Sequence, residues 1–586
     1  MDKLHQDLLS SRNYAGSAQS INERQRLTGH ARDPARKPRV LIVGAGVSGL
    51  RCADVLLASG VDVTIYEARN RIGGRLAQAS LRGHTVDLGP NWIHGIKDNP
   101  IMQLISKTST AVYDVGEEQA IWQPDGKRMS KEDVEYYWNF LSETLDAASK
   151  YSRQNSSQGI LIPLDMSLMD WITLRSLEQF RHEGYDEAAV KAKTAIVTGL
   201  ATSWGNIIGE PISCQSLRYF WMEENLDGDN LFVAGTYEDV LQEIAKPAND
   251  NGIILFGKDV VRIYTPRNDE SDQVIVLTAD QEEEEFDDVI VTCPLGWLKH
   301  NKRCFSPALP KKLEQAIDSL GYGCLDKIYI TFPEAFWNGP PCCRTSTGEG
   351  EGSSSDTPTS SASTSSVTRT ELLTRPMTDT APELPTILSW TSPSYARDTN
   401  PGKWSQEAIN LANLPNHCSH PTLLFYIHGP CSRYIAHLLR SNYPTTERDA
   451  SSDQVDSRLF EFLRPYISKL PNYDPSSPSC QPLATLATLW TADPLSGYGS
   501  YTNFPVELFK GEEKLLLLRG ELRTEDDPHD GEEDGGAEVM ARRGVWLAGE
   551  HTAPIIAVGT VAGAYLAGEN VARKLLATLG MADGGG

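Results

Sequence analysis

The stretch RVLIVGAGVSGLRCADVLLASGVDVTIYEA, residues Arg39–Ala68, decides the fold. RVLIV and DVTIYE are short apolar runs, and VSGLRCADVLLA between them carries apolar residues at helical spacing, so the order reads strand, helix, strand. Gly44, Gly46 and Gly49 stand where the first strand gives way to the helix, and Glu67 ends the second strand 18 residues beyond Gly49. Gly44 permits the tight turn, Gly46 lets a pyrophosphate approach the backbone at the helix N-terminus, and Gly49 lets helix close on strand. Glu67 is placed to accept from ribose hydroxyls, and an acid there disfavours a 2′-phosphate. The pattern predicts an α/β protein with a doubly wound, Rossmann-like sheet, and leaves NAD and FAD both open.

The next residues, ARNRIGGR, add Arg69 and Arg75 around the pair Gly73 and Gly74. This second cationic, backbone-donor surface favours FAD, whose pyrophosphate joins two long halves and needs the larger cradle. Here the sequence resembles the flavin amine oxidase family, in which G-x-G-x-x-G, E-A-R and G-G-R follow in this order. The likeness continues in DLGPNWIHGIKDNP, Asp87–Pro100, which is similar to the flavin-facing loop of spermine-type polyamine oxidases. It implies that Asn91 and Trp92 lie along the flavin ring and that His94 faces a substrate channel. Val260, in GKDVVRIYT, matches a position whose backbone meets adenine, and Lys327, in LGYGCLDKIYITF, matches the lysine that holds a water near flavin N5. TLWTADPLSGYGSYTNF makes Trp490 a flavin neighbour and Tyr501 one wall of an aromatic site. Ser500 stands where monoamine oxidases carry a cysteine bonded to the flavin, so non-covalent FAD is expected. In GVWLAGEHTAPIIAVGTVAGAYLAG, Glu550, Thr560 and Val561 fall at cofactor-contacting positions. Thr560 replaces the second cage aromatic of monoamine oxidases, as in spermine oxidases and lysine-specific histone demethylases, and Ala562 departs from the V-H-G-A of many relatives.

The resemblance implies a discontinuous FAD-binding domain from 39–95, 235–300 and 540–580, and an intertwined α+β substrate domain from 96–234 and 301–539. It implies oxidation of spermine, spermidine or their N-acetyl derivatives beside the amine nitrogen, with molecular oxygen as acceptor and an aldehyde, a shorter amine and hydrogen peroxide as products. Lys327, His94 and Tyr501 would carry the reaction. Because the amine reacts neutral, activity should rise with pH. A histone demethylase shares Thr560 and a basic arm, but its helical insertion would read as a long charged heptad stretch. A flavin-binding scaffold without turnover is opposed by the retained Lys327, Tyr501 and Glu550.

Composition agrees with a cationic ligand. The 586 residues carry a net charge of −24, which opposes nucleic acid and anionic membranes as partners. No apolar stretch is long enough to span a bilayer. Ten cysteines without a C-x-x-C pair argue against a disulfide framework or zinc ribbon, and His417, Cys418 and His420 lack a second ligand pair, so no metal is assigned. The first residues lack a secretory signal and the last, GMADGGG, are not a peroxisomal tripeptide, so the cytoplasm is expected, with the nucleus as the alternative. Nothing in the pattern sets an oligomeric state. Residues 1–38 read as a disordered arm, 339–385 as a low-complexity insertion and 519–541 as an acidic loop. The runs 282–288 and 525–534 hold 13 acids and read as surface loops.

Overall fold

The computed structural model describes residues 36–265, 273–338, 384–440, 454–508, 510–521 and 536–581. The arm at 1–38, the insertion at 339–385 and the acidic loop at 519–541 lie wholly or largely outside the described residues.

The quoted stretch forms the strand Arg39–Val43, the helix Val47–Ala58 and the strand Asp62–Glu67. These two strands sit inside a five-stranded sheet in the order Val545–Leu547, Asp288–Val291, Arg39–Val43, Asp62–Glu67, Ile254–Phe256, with every neighbouring pair parallel. Val40, Leu41 and Ile42 are fully buried, because helices or other layers cover both faces of such a sheet and an apolar run suits it better than alternation. The helix Val561–Thr578 crosses Val47–Ala58 closely: a Cβ on Gly568 would stand 2.1 Å from the Ser48 carbonyl oxygen.

A six-stranded sheet lies elsewhere in the chain, in the order Ala484–Ala487, Leu325–Thr331, Thr422–His428, Gln406–Asn410, Ile387–Trp390, Gln119–Trp122. Its pairs are antiparallel except the last, which is parallel. Helices Lys131–Ser157, Leu168–His182 and Glu187–Ala201 pack together around Tyr137, Leu141, Phe180 and Val197. Their starts are written locally. Ser130, Ser167 and Asp186 each accept a hydrogen bond from a first-turn amide, and Ser167 with Asp170 closes a capping box.

The acidic run 282–288 is not a loop. Glu283–Phe286 pairs antiparallel with Val274–Thr278, and Asp288–Val291 is an inner strand of the parallel sheet. Asp288 is fully buried and accepts from Trp546 Nε1 at 3.0 Å, while Asp287 accepts from the Arg39 amide at 2.8 Å. The exposed glutamates keep their charge in water and the two aspartates have donors, so self-repulsion does not prevent pairing.

Candidate active site

At the first glycine turn, Gly44 has φ +109° and a Cβ on Gly49 would stand 2.1 Å from the Gly44 carbonyl oxygen. Gly46 caps the helix Val47–Ala58, and no atom lies within 4 Å of where its Cβ would be. The Gly73 amide donates to the Ala45 carbonyl at 2.8 Å, which folds the second glycine pair onto the first turn. Glu67, buried at its strand end, accepts from the Ala45 amide at 2.8 Å and the Arg69 amide at 2.9 Å. The Lys258 amide bonds the Glu67 carbonyl at 2.9 Å, bringing buried Val260 near the same strand end.

Two arginines tie this front segment to distant sequence. Arg69 pairs with Asp493 at 2.6 Å, and Arg75 pairs with Glu550 at 3.1 Å. Glu550 also accepts from the Thr502 amide and hydroxyl at 3.4 and 3.2 Å. Thr560 caps the last long helix through its Oγ1, which accepts from the Gly563 amide at 2.9 Å, and Val561 is the first helical residue. Within this cradle the Ser48 hydroxyl, in the first helical turn, and both ring nitrogens of His551 are buried without partners. A phosphate at the helix start would give Ser48 an acceptor and face the positive end of the helix dipole. The residues present therefore fit a dinucleotide, which Gly44, Gly46, Glu67, Arg75 and Glu550 would hold.

Lys327 rises from the six-stranded sheet toward the 87–94 loop. Its Nζ donates to the carbonyl of Asp87 at 3.1 Å, to the carbonyl of Gly89 and to Oδ1 of Asn91. Burial pushes the Lys327 pKa down and the neighbouring Asp87 carboxyl up, each opposed by the charge of the other. Three acceptors around one nitrogen are satisfied together only by the ammonium, which has three donors where the neutral amine has two. Asn91 also accepts from Tyr426 Oη at 3.1 Å, and Trp92 Nε1 donates to the same hydroxyl at 3.1 Å. Asp326, next to Lys327 but on the other sheet face, accepts from the Trp490 amide at 2.6 Å, and Trp490 Nε1 donates to the Leu88 carbonyl at 3.0 Å. Ser500 Oγ donates to the Leu325 carbonyl at 2.7 Å, holding Tyr501 close to the Lys327 strand.

The structure thus brings Asn91, Trp92, Lys327, Trp490 and Tyr501 into one region, and Gly44, Gly46, Gly49, Glu67, Arg69, Arg75 and Glu550 into the adjoining cradle. The His94 ring bonds Asn230 instead, and burial lowers its pKa. Sequence reading missed Tyr426 and the carboxyl of Asp87 as neighbours of Lys327. Tyr426 sits in LLFYIH among apolar residues, and only the strand register shows it opposite Lys327.

The profile of the flavin containing amine oxidoreductases matches residues 47–398. The chain belongs to that family, and FAD is its cofactor, with Ser500 at the position of the covalent cysteine. It is similar to Protein FLOWERING LOCUS D of Arabidopsis thaliana, 31% identical over 312 residues covering 52% of this chain and 37% of that protein. It is also similar to Probable polyamine oxidase 4 of Arabidopsis thaliana, 28% identical over 51% of this chain and 59% of that protein. A third relative is Lysine-specific histone demethylase 1 homolog 1 of Oryza sativa subsp. japonica, 28% identical over 52% of this chain and 35% of that protein. The chain spans less than two thirds of the length of each of these curated relatives. Among the described residues no helix is long and apolar enough to cross a membrane.

Proposed function

We propose that the chain is an FAD-dependent polyamine oxidase acting on spermine, spermidine or their N-acetyl derivatives. In this reading 39–95, 235–300 and 540–580 hold FAD in a doubly wound domain, and 96–234 with 301–539 form the substrate domain. The observation that carries it is the junction itself: buried Lys327, from the six-stranded sheet, bonds Gly89 and Asn91, which lead directly into W-I-H-G on the loop that leaves the nucleotide cradle. When bound, FAD supplies a two-electron acceptor for hydride from the carbon beside the amine nitrogen, and molecular oxygen regenerates it as hydrogen peroxide forms.

The residues supply position and charge. The ammonium of Lys327 gives its three protons to Asp87, Gly89 and Asn91, so it fixes the 87–94 loop and stabilises negative charge that develops beside it, and it would hold a water beside the reacting carbon only by releasing one of these acceptors. Tyr501 presents an apolar wall that orients a slim amine and excludes bulk water. His94, bonded to Asn230 and kept neutral by burial, would add no repelling charge to an amine nearby. Hydrolysis of the oxidised C–N bond leaves an aldehyde and a shorter amine.

A second reading, oxidation of a methylated lysine side chain, is favoured by the demethylase relatives and by Thr560. Against it, the longest helix among the described residues, Lys131–Ser157, buries Tyr137, Leu141 and Ala148 in the core and does not stand out as an insertion. Mass spectrometry of the products from spermine, N-acetylspermine and a methyl-lysine peptide separates the two: a shorter amine from the first pair supports the polyamine reading, and demethylation of the peptide alone overturns it.

A further inference from the structure

Strand register aligns Ser389, Glu407, Tyr426 and Lys327 as cross-strand neighbours. Such neighbours share one face of a sheet, and Glu407 is two strands from Lys327, about 10 Å at a spacing of about 4.8 Å per strand. Where Lys327 faces the 87–94 loop, Glu407 faces a narrow cleft lined by Trp138, Ser203, Asn206, Ser389 and His428, whose cavity of about 10 Å³ has room for one group the size of a water or an ammonium. The cleft adjoins the aromatic site, since Tyr501 Oη donates to the Asn206 carbonyl at 3.4 Å.

Polar groups in this cleft are under-used. Asn206 Nδ2 donates to Glu407 Oε1 at 3.1 Å, and Asn206 Oδ1 meets His428 Nδ1 at 2.9 Å. The Ser389 hydroxyl, on a residue only 7% exposed, has no partner. A carboxylate held by a single amide, among polar neighbours that carry no positive charge, is poorly compensated. Burial accordingly pushes the Glu407 carboxyl up to about 7 and the His428 ring down to about 4, so His428 brings no positive charge to balance it. A bound cation would.

We infer that Glu407, oriented by Asn206, receives the second, non-reacting nitrogen of a diamine or polyamine while the first nitrogen lies beside Lys327 and Tyr501. The inference rests on the amine oxidase reading and sharpens it: a site with a carboxylate one aliphatic spacer from the reacting carbon selects two-nitrogen substrates over monoamines. A half-buried carboxylate without a counter-charge penalises a monoamine, whose alkyl end would lie against it.

The test compares the full chain with its Glu407→Gln and Glu407→Asp variants, with spermine and N-methylbutylamine as substrates. Glu407→Gln should raise KM for spermine by about tenfold or more while kcat changes little, and should lower KM for N-methylbutylamine, because the charge that penalises its alkyl end is gone; Glu407→Asp should recover part of the spermine loss. Equal losses on both amines, or an unchanged KM for spermine, overturn the inference. If Glu407→Gln does not fold, Asn206→Ala should give the same split in KM. If the wild type oxidises neither amine, the oxidase reading fails by itself. Spermine titration of the flavin absorbance then decides the inference alone: binding lost in Glu407→Gln supports it, and binding unchanged or absent from the wild type overturns it.

Discussion

Nζ of Lys327 donates to Oδ1 of Asn91 across 236 residues of sequence. The bond joins the sheet proposed for substrate to the loop that leaves the nucleotide cradle, and the same asparagine oxygen also accepts from Tyr426. Replacing Lys327 with Met keeps the length of the side chain and removes the charge. Reduction or reoxidation of the flavin should slow by about 10²- to 10⁴-fold, the range for a removed proton-handling or electrostatic group. FAD content should stay near one per chain, and stopped-flow absorbance with a cofactor assay measures both. Equal loss of rate and cofactor would assign Lys327 to holding the fold.

Gly46 and Gly49 should respond differently to the same added methyl. On Gly49 it would stand 2.1 Å from backbone oxygen, so Gly49→Ala should cost about 3 kcal/mol of stability or more and lower soluble yield. On Gly46, where φ is −77° and nothing lies within 4 Å, Gly46→Ala should fold normally and lose FAD. Thermal melts and flavin absorbance distinguish the two.

Arg75 and Glu550 form the tie between the front and the closing segment, with Glu550 almost fully buried. Glu550→Ala leaves a partly buried guanidinium without its carboxylate, which costs about 3 kcal/mol when the pair is buried and less for one partly exposed. The variant should release FAD on gel filtration, and the difference in Tm between wild type and variant should be larger with FAD present than without it.

Glu223 supplies a pH prediction. Burial pushes its carboxyl up to about 7, opposed by a bond from the Phe504 amide. Between the ordinary carboxylate range and about 7 the folded chain keeps a proton that the unfolded chain has released, so this group makes stability fall as pH rises through that window. Glu223→Gln cannot ionise. Its Tm should exceed that of the wild type at about pH 8, and the gain should vanish at about pH 4; a gain that persists in acid would point to packing instead.

The cradle was legible because its parts are close in sequence. Gly44, Gly46, Gly49 and Glu67 must fall at fixed spacings for one turn to work, and that constraint is visible in 30 residues. The six-stranded sheet was not legible, since its strands come from six stretches between Gln119 and Ala487 and its register depends on tertiary pairing. For the same reason nothing in WSQEAIN singles out Glu407. Only its place beside Tyr426 and Ser389 suggests the role proposed for it. The acidic run at 282–288 misled because charge density suggests a loop, whereas burial of Asp287 and Asp288 depends on Arg39 and Trp546, which are far away in sequence.

Anaerobic titration of the purified, FAD-loaded chain with spermine and N-acetylspermine tests the central claim most directly. The account predicts that the oxidised flavin absorbance bleaches with either amine and returns when oxygen is admitted, with hydrogen peroxide released. A chain that binds FAD and keeps its oxidised spectrum through the titration contradicts it.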